Sequence, residues 1–248
     1  MKYIIIIFNI TFLFSMTGLD LATKMENRDK PTDTKSKSTM ELLKKNGKKR
    51  TLKLINKSKD NSKKQMIWFL EPRDDYGIAF LKIEKKGEAD FMNMWLPGFK
   101  KFRRISSQKK TDSFMGSDMS YEDLSNRELN ENEYKRLDDE IVNGVECYVL
   151  EIIPKKEVKS SYSKHISWIA KNGLYGVKEE SFDKRGILLK KKEYTFNKVQ
   201  EYYIIERVFV ENVQKQHSTE VTFLNVKVDS GIDDGLFHEK NLKRLPRN

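Results

Sequence analysis

The sequence predicts a mainly β fold: a curled antiparallel sheet that forms a half-open barrel with a small helical lid. Strand-like runs recur at short, regular intervals through most of the chain. Turn signals separate these runs, most clearly Asn46-Gly47 and Asn143-Gly144, which are typical of tight hairpins. The run Met66–Leu70 is apolar at every position, so both of its faces need a cover. A curled sheet with an apolar interior and an outer covering segment meets that need.

Residues 1–18 have the layout of a secretory signal peptide. Lys2 supplies a positive charge, and the stretch from Tyr3 to Phe14 is mostly apolar. Small residues follow, so we expect cleavage between about residues 15 and 22. The alternative is an uncleaved anchor, although the apolar run is shorter than the roughly 20 residues that a membrane span needs. The rest, residues 19–248, is predicted to form a single domain.

The elements after the signal peptide are predicted in order. Leu19 to Asp29 favours a helix, because Leu21 and Met25 would share one face. The polar residues 30–38 indicate a connector, and Pro97-Gly98 fits the centre of a type II turn. Strands are predicted near residues 38–45, 48–57, 64–71, 78–84, 90–96, 99–106, 133–142, 145–153, 162–170, 174–182, 187–197, 200–213 and 217–228. The helix and residues 107–132 are the segments available to cover the sheet.

Composition limits the class of protein. The chain has 248 residues, of which 38% are hydrophobic, enough for one domain with a sizeable core. Cys147 is the only cysteine and has apolar neighbours, so we expect a buried, inert thiol and no disulfide. The net charge of +11 favours anionic partners, or reflects a surface that is simply rich in lysine.

Catalytic and metal-binding patterns find little support. Ser117 does not lie in a G-x-S-x-G elbow, and no phosphate-binding loop is present. The three histidines, His165, His217 and His238, are scattered along the chain without ligand spacing. We therefore expect neither an enzyme nor a cofactor or metal site.

The motif SDMSYED contains three acidic residues that lack the order of a calcium-binding loop. Ser117 and Asp118 are instead predicted to cap local backbone N–H groups.

The order of motifs resembles a known family. WLPGFKKFRRISSQKKTDSFMGSDMSYED (95–123) and DEIVNGVECYVLEIIPK (139–155) are similar to segments of the outer-membrane lipoprotein-sorting proteins, relatives of the periplasmic lipoprotein-localisation carriers. Residues 163–194 and 211–244 look like the C-terminal half of that family.

This resemblance implies a monomeric periplasmic carrier. Such a carrier binds lipid or lipoprotein acyl chains in an apolar cavity and ferries them towards the outer membrane. Its expected partners are an inner-membrane transporter and an outer-membrane acceptor, and nucleic acid is not among them. The alternative is a periplasmic lipid-binding accessory protein of a membrane exporter.

Strand parity suggests which residues border the cavity. Side chains two residues apart share a face, so each of the two most apolar strands offers one candidate set. The predicted lipid-binding residues are Met66, Trp68, Leu70, Met92, Met94, Leu96 and Phe102. Flexible methionines suit varied acyl chains, although they also fill gaps in ordinary cores. Parity does not decide which face meets the cavity.

A basic stretch rich in aromatic residues follows the second of these strands. Its cations are predicted to dock on an anionic membrane or on a protein partner: Lys100, Lys101, Arg103 and Arg104. They would also suit the rim of an apolar cavity. The remaining alternative is a solvated edge strand that its charges protect from aggregation.

Overall fold

The computed structural model describes residues 16–246. Most of the predicted signal peptide, residues 1–15, therefore lies outside the described residues. Within the described range, one α-helix, α1 (Gly18–Glu26), precedes a sheet of 13 strands. The strands are β1 Asp33–Leu43, β2 Lys49–Lys59, β3 Lys64–Glu71, β4 Ala79–Ile83, β5 Phe91–Leu96, β6 Lys101–Ile105, β7 Asn132–Val142, β8 Val145–Pro154, β9 Tyr162–Ala170, β10 Gly176–Asp183, β11 Leu188–Val199, β12 Tyr202–Asn212 and β13 His217–Val228.

The strands form one antiparallel sheet in the order β6-β5-β4-β3-β2-β1-β13-β12-β11-β10-β9-β8-β7. The two ends of this order, β6 and β7, do not pair, so the curled sheet stays open. The pairing of β1 with β13 brings the two ends of the β region together. Asn143 and Gly144 both have positive φ, at 50° and 80°, which gives the β7–β8 hairpin its tight turn. The predicted fold class is confirmed.

Two local predictions need correction. The connector predicted at residues 30–38 is largely strand, because β1 begins at Asp33 and its polar residues pair with β2. Pro97-Gly98 does not form a type II turn. Pro97–Phe99 is a short 3-10 turn, and the residue with positive φ is Lys100, at 50°. The Lys100 N–H donates to the Pro97 carbonyl, which closes the turn before β6.

The inner face of the sheet carries the largest core. It contains Met40, Leu54, Phe69 and Phe80, and residues 106–131 pack onto it. We call residues 106–131 the inner segment. It has three 3-10 turns and no α-helix. Helix α1 covers the other end of the same face, where Leu21 packs against strands β8 and β9. Thus both covers that the sequence predicted lie on the inner face.

The outer face has a cover that the sequence did not reveal. Residues 229–246, the C-terminal segment, run across β3 to β6 in two 3-10 turns, Asp234–Leu236 and Glu239–Lys243. Phe237 and Leu242 are buried there against Met66 and Trp68. This contact explains how a strand that is apolar on both faces avoids water on each side. Within residues 16–246, no helix has the length and apolar character that a membrane crossing requires.

Candidate binding cavity

A cavity of about 370 Å³ lies between the inner face and the inner segment. Its volume falls in the range of roughly 300–1,000 Å³ that small-molecule sites occupy. Phe114 and Met119 of the inner segment form one wall. The sheet forms the other wall with a set of apolar side chains: Met40, Leu54, Ile67, Val208, Val210, Val221 and Phe223. The cavity thus offers apolar surface inside an open barrel.

Aromatic packing fixes the N-terminal half of the inner segment. The Phe114 ring lies 5.2 Å from that of Phe80 and 5.7 Å from that of Tyr121, both edge-on. Phe69 adds a third ring at 6.0 Å. Phe114 has no exposed surface, and clusters of this kind stabilise beyond their buried area. The sheet therefore holds the cavity wall in place at Phe114.

The two residues predicted to cap locally behave differently from each other. The Ser117 hydroxyl donates to the Phe114 carbonyl and receives a long hydrogen bond from the Met119 N–H, so it does act within its own turn. Asp118 does not. Its carboxylate accepts from the Thr219 hydroxyl at 2.8 Å, and its N–H donates to the same hydroxyl at 2.9 Å. Asp118 therefore ties the inner segment to β13.

Buried ion pairs fix the C-terminal half of the inner segment. Asp123 accepts hydrogen bonds from Lys192 at 2.6 Å and from Lys190 at 2.7 Å, both on β11. The Tyr162 hydroxyl donates to the same carboxylate at 2.9 Å. Burial opposes ionisation of Asp123, but Lys192 and Lys190 outweigh it and hold the pKa of this carboxyl well below its usual range.

A second buried pair adjoins the first. The Arg127 guanidinium donates two hydrogen bonds to Glu179, at 2.6 and 2.8 Å. Lys192 also reaches Glu179, at 3.0 Å, so it links the two carboxylates. Despite burial, Arg127 and Lys192 hold the pKa of Glu179 well below normal. Forked arginine–carboxylate contacts are strong and directional, so the inner segment has a fixed position over β10 and β11.

His165 lies beside this cluster without forming a catalytic triad. Burial, followed by the charge of Arg127, lowers its pKa to about 3, so the ring is neutral at pH 7. The same nitrogen, Nδ1, lies 2.8 Å from Ser181 Oγ and 3.6 Å from Glu179. A triad needs the serine and the carboxylate on opposite ring nitrogens. Ser181 is also fully buried, so no substrate can reach it.

The predicted lipid-binding residues do not line this cavity. Met66, Trp68 and Phe102 belong to the outer face, under the C-terminal segment. Met92, Met94 and Leu96 are on the inner face but pack into the core of β4 to β6. Leu70 is half-buried at the end of β3, beside an irregularity in its pairing with β2. Parity grouped Met66 with Trp68 and Met92 with Met94 as the structure has them. It could not show which strands lie opposite each other across the cavity.

The residues that do line the cavity left a weaker signal in the sequence. Met40 lies between the polar residues Thr39 and Glu41, and Leu54 follows Lys53, so their strands looked like ordinary half-buried strands. Val208 and Val221 come from β12 and β13, distant in sequence from β1 and β2. Their alternation predicts a buried face, but only the β1–β13 pairing shows that this face borders the cavity.

The predicted basic residues are together and exposed. Lys100, Lys101, Arg103 and Arg104 lie on or next to β6, the edge strand of the sheet. Phe99 beside them is 75% exposed. The Arg104 guanidinium stacks on the Phe91 ring at 4.3 Å, and the other three cations are exposed to solvent. Docking through this cluster stays a prediction. Among residues 16–246, no group of three or more candidate side chains is placed to hold a metal ion.

Comparison with known proteins gives a consistent set of relatives. A family model described as "Uncharacterized protein" matches residues 61–244. A solved domain from Vibrio parahaemolyticus, named for outer membrane lipoprotein sorting, is 31% identical with a TM-score of 0.86, covering 92% of this chain and 98% of its own. A DUF1329 family protein from Desulfovibrio piger is 30% identical with a TM-score of 0.85, covering 91% and 97%.

A more distant structure shares the fold alone. A LolA superfamily protein from Nitrosomonas europaea is 16% identical with a TM-score of 0.72, covering 91% of this chain and 99% of its own. No curated protein matches the chain. The name of the Vibrio domain refers to sorting lipoproteins and not to a chemical reaction.

Proposed function

The chain belongs to the outer-membrane lipoprotein-sorting family, and from that membership we propose that it is a periplasmic carrier of lipid or lipoprotein acyl chains. The carrier takes up the acyl chain in the cavity under the inner segment and moves it towards the outer membrane. An inner-membrane transporter and an outer-membrane acceptor would be its partners.

One observation carries this proposal: the cavity is apolar where the inner segment crosses the sheet. Removing acyl CH₂ groups from water stabilises a complex by about 0.8 kcal/mol for each group. Met40, Ile67 and Val221 provide such a surface without any polar partner that an acyl chain would leave unsatisfied. No covalent step is needed to bind and release a chain.

Lipid analysis and a probe-binding assay test the proposal together. We expect lipid to co-purify with the protein taken from the envelope fraction, detected by mass spectrometry. Purified protein should also bind a neutral fluorescent acyl probe. Val208→Trp places a large side chain in the cavity and should abolish probe binding. The matched control is Leu224→Trp, because Leu224 is 48% exposed on β13 and does not border the cavity.

Two results would contradict the carrier role. The first is a folded parent protein that binds no acyl probe and carries no lipid. The second is equal loss of binding in both tryptophan variants, since that would show no dependence on the cavity. Loss of probe binding in Val208→Trp but not in Leu224→Trp would support the carrier role.

A further inference from the structure

The cavity changes character from one end to the other. Along the inner face of β1, Met40 is followed towards the start of the strand by Ser38, Ser36 and Thr34. The neighbouring strands change in the same direction, because Ser36 pairs with Asn56 and Thr34 with Ser58. An apolar region and a polar band therefore lie side by side in the same cavity.

Hydrogen bonds satisfy only part of the polar band. Thr34 and Ser58 share a hydrogen bond of 2.8 Å between their hydroxyls, and the Asn56 amide donates to Ser38. Gln65 Oε1 also faces this band from β3 and is buried. It has no hydrogen-bond partner among residues 16–246. A buried acceptor without a partner costs free energy unless a bound molecule or water meets it.

Two cations lie beyond the polar band, before β1 begins. Arg28 and Lys30 both line the cavity and are half-buried. Burial lowers the pKa of Arg28. Burial and then the charge of Arg28 lower the pKa of Lys30, which Glu26 partly offsets. Lys30 donates to the Glu26 backbone carbonyl at 2.6 Å. Neither cation has a carboxylate within ion-pair distance among residues 16–246.

The other charged residues around the cavity already have partners. Lys59 donates to the Ile232 carbonyl and lies 3.4 Å from Asp234. Lys192 pairs with Asp123 and Glu179. Asp33 accepts four hydrogen bonds, from the Ser230 hydroxyl and from the backbone N–H groups of residues 230 to 232. The uncompensated charge at this end of the cavity is therefore positive.

We propose that the cavity selects an anionic amphiphile: a single acyl chain that ends in a carboxylate or a phosphate, with the oxyanion at Arg28 and Lys30. The chain lies along Met40, Leu54 and Val221, and the polar band lies between this apolar region and the two cations. An oxyanion relieves the repulsion between two poorly hydrated cations, and charge-assisted hydrogen bonds to it are strong. This inference rests on the proposed carrier function and names the class of its ligand.

Ligands that differ only in the headgroup test it. Palmitate, hexadecyl phosphate and hexadecanol share one chain length, and each is used to displace a neutral fluorescent acyl probe at mildly alkaline pH, where the carboxyl is ionised. We expect either anion to bind about tenfold or more tightly than hexadecanol. The double variant Arg28→Gln/Lys30→Gln should lose that difference and keep its affinity for hexadecanol. Lys24→Gln, an exposed change on α1 away from the cavity, is the control.

The outcomes separate this inference from the carrier function. Equal affinity of the parent for all three ligands would overturn the anion preference and leave an acyl-chain carrier. Binding of no ligand at all would overturn both. Displacement of the probe by inorganic phosphate alone would also overturn it, because an anion without a chain would then suffice. Thermal unfolding of each variant shows that a lost preference is not a lost fold.

Discussion

Lys192 Nζ donates a hydrogen bond of 2.6 Å to Asp123 Oδ1, joining two residues that are 69 positions apart in the sequence. Both side chains are almost fully buried, at 5% and 4% exposure. This contact fastens the inner segment to β11 and so closes one side of the cavity. Loss of this contact should lower the free energy of unfolding and also alter the wall of the cavity.

Removing the Asp123 charge should destabilise the protein strongly. Asp123→Asn leaves Lys190 and Lys192 buried with less compensation, and breaking a buried pair on one side costs about 3–5 kcal/mol. Chemical denaturation measures the free energy of unfolding. Glu88→Gln is the control, because Lys85–Glu88 is an exposed pair and should contribute about 0–1 kcal/mol. Equal losses in the two variants would contradict a structural role for Asp123.

Stability should fall in two steps as the pH falls. His165 titrates near 6.5 when unfolded, but its pKa in the fold is about 3. Below about pH 6.5 the unfolded chain therefore binds a proton at His165 that the native state does not bind. The free energy of unfolding decreases as the pH falls from that value. At pH 5 the loss is about 2 kcal/mol. Asp123 and Glu179 have lowered pKa values in the fold, so their contribution, present above about pH 4, disappears at still lower pH.

A histidine variant isolates the first step. His165→Gln should flatten the free energy of unfolding between about pH 6.5 and 5, measured by urea denaturation across the range. His238→Gln, at an exposed position, is the control variant. If the slope persists in His165→Gln, the pH dependence of stability comes from other titratable groups.

Trp68 should matter for stability and not for ligand binding. It is 1% exposed beneath the C-terminal segment, on the face opposite to the cavity. Trp68→Ala leaves a void in packed structure and should cost about 3–5 kcal/mol. Acyl-probe affinity should stay within error of the parent. Reduced affinity in a variant that remains folded would return Trp68 to the lipid site.

The basic cluster on β6 should bind anionic membranes. Neutralising Lys100, Lys101, Arg103 and Arg104 to Gln should weaken co-sedimentation with phosphatidylglycerol vesicles. Added salt should weaken parent binding as well, because exposed charges are screened. The control neutralises four exposed lysines of the β1–β2 hairpin, at positions 44, 45, 48 and 49, with the same charge change. Identical effects of the two sets would indicate general charge attraction only.

Signal-peptide cleavage should fall before Thr17. Thr17 and Asp20 form a reciprocal capping box at the start of α1. A Cβ on Gly18 would lie 2.7 Å from the Tyr134 carbonyl, so this glycine is fitted against β7. Intact-mass measurement of protein from the envelope fraction should give an N-terminus at residue 16 or 17. A mature chain starting at residue 19 or later would contradict this, because the capping box would be gone.

Much of the fold follows from short-range patterns. The hairpin signal at Asn143-Gly144 and the period-2 alternation of β13 depend on a few neighbouring residues, and the structure has a strand at nearly every predicted place. The polar start of β1 was misread because Thr34 and Ser36 face a cavity and not a packed core. Local propensity carries no information about what faces a side chain across space.

The sequence alone determined the number and spacing of the strands, the helix at the N-terminus and the family resemblance. The tertiary structure decided which face of each strand meets the cavity. That choice depended on a C-terminal segment that covers Met66 and Trp68, and on the ion pairs of Asp123 and Arg127 that hold the inner segment opposite. These contacts join residues far apart in the chain. Either face of a strand that is apolar on both sides can face the cavity. The segments that pack on the two faces decide which one does.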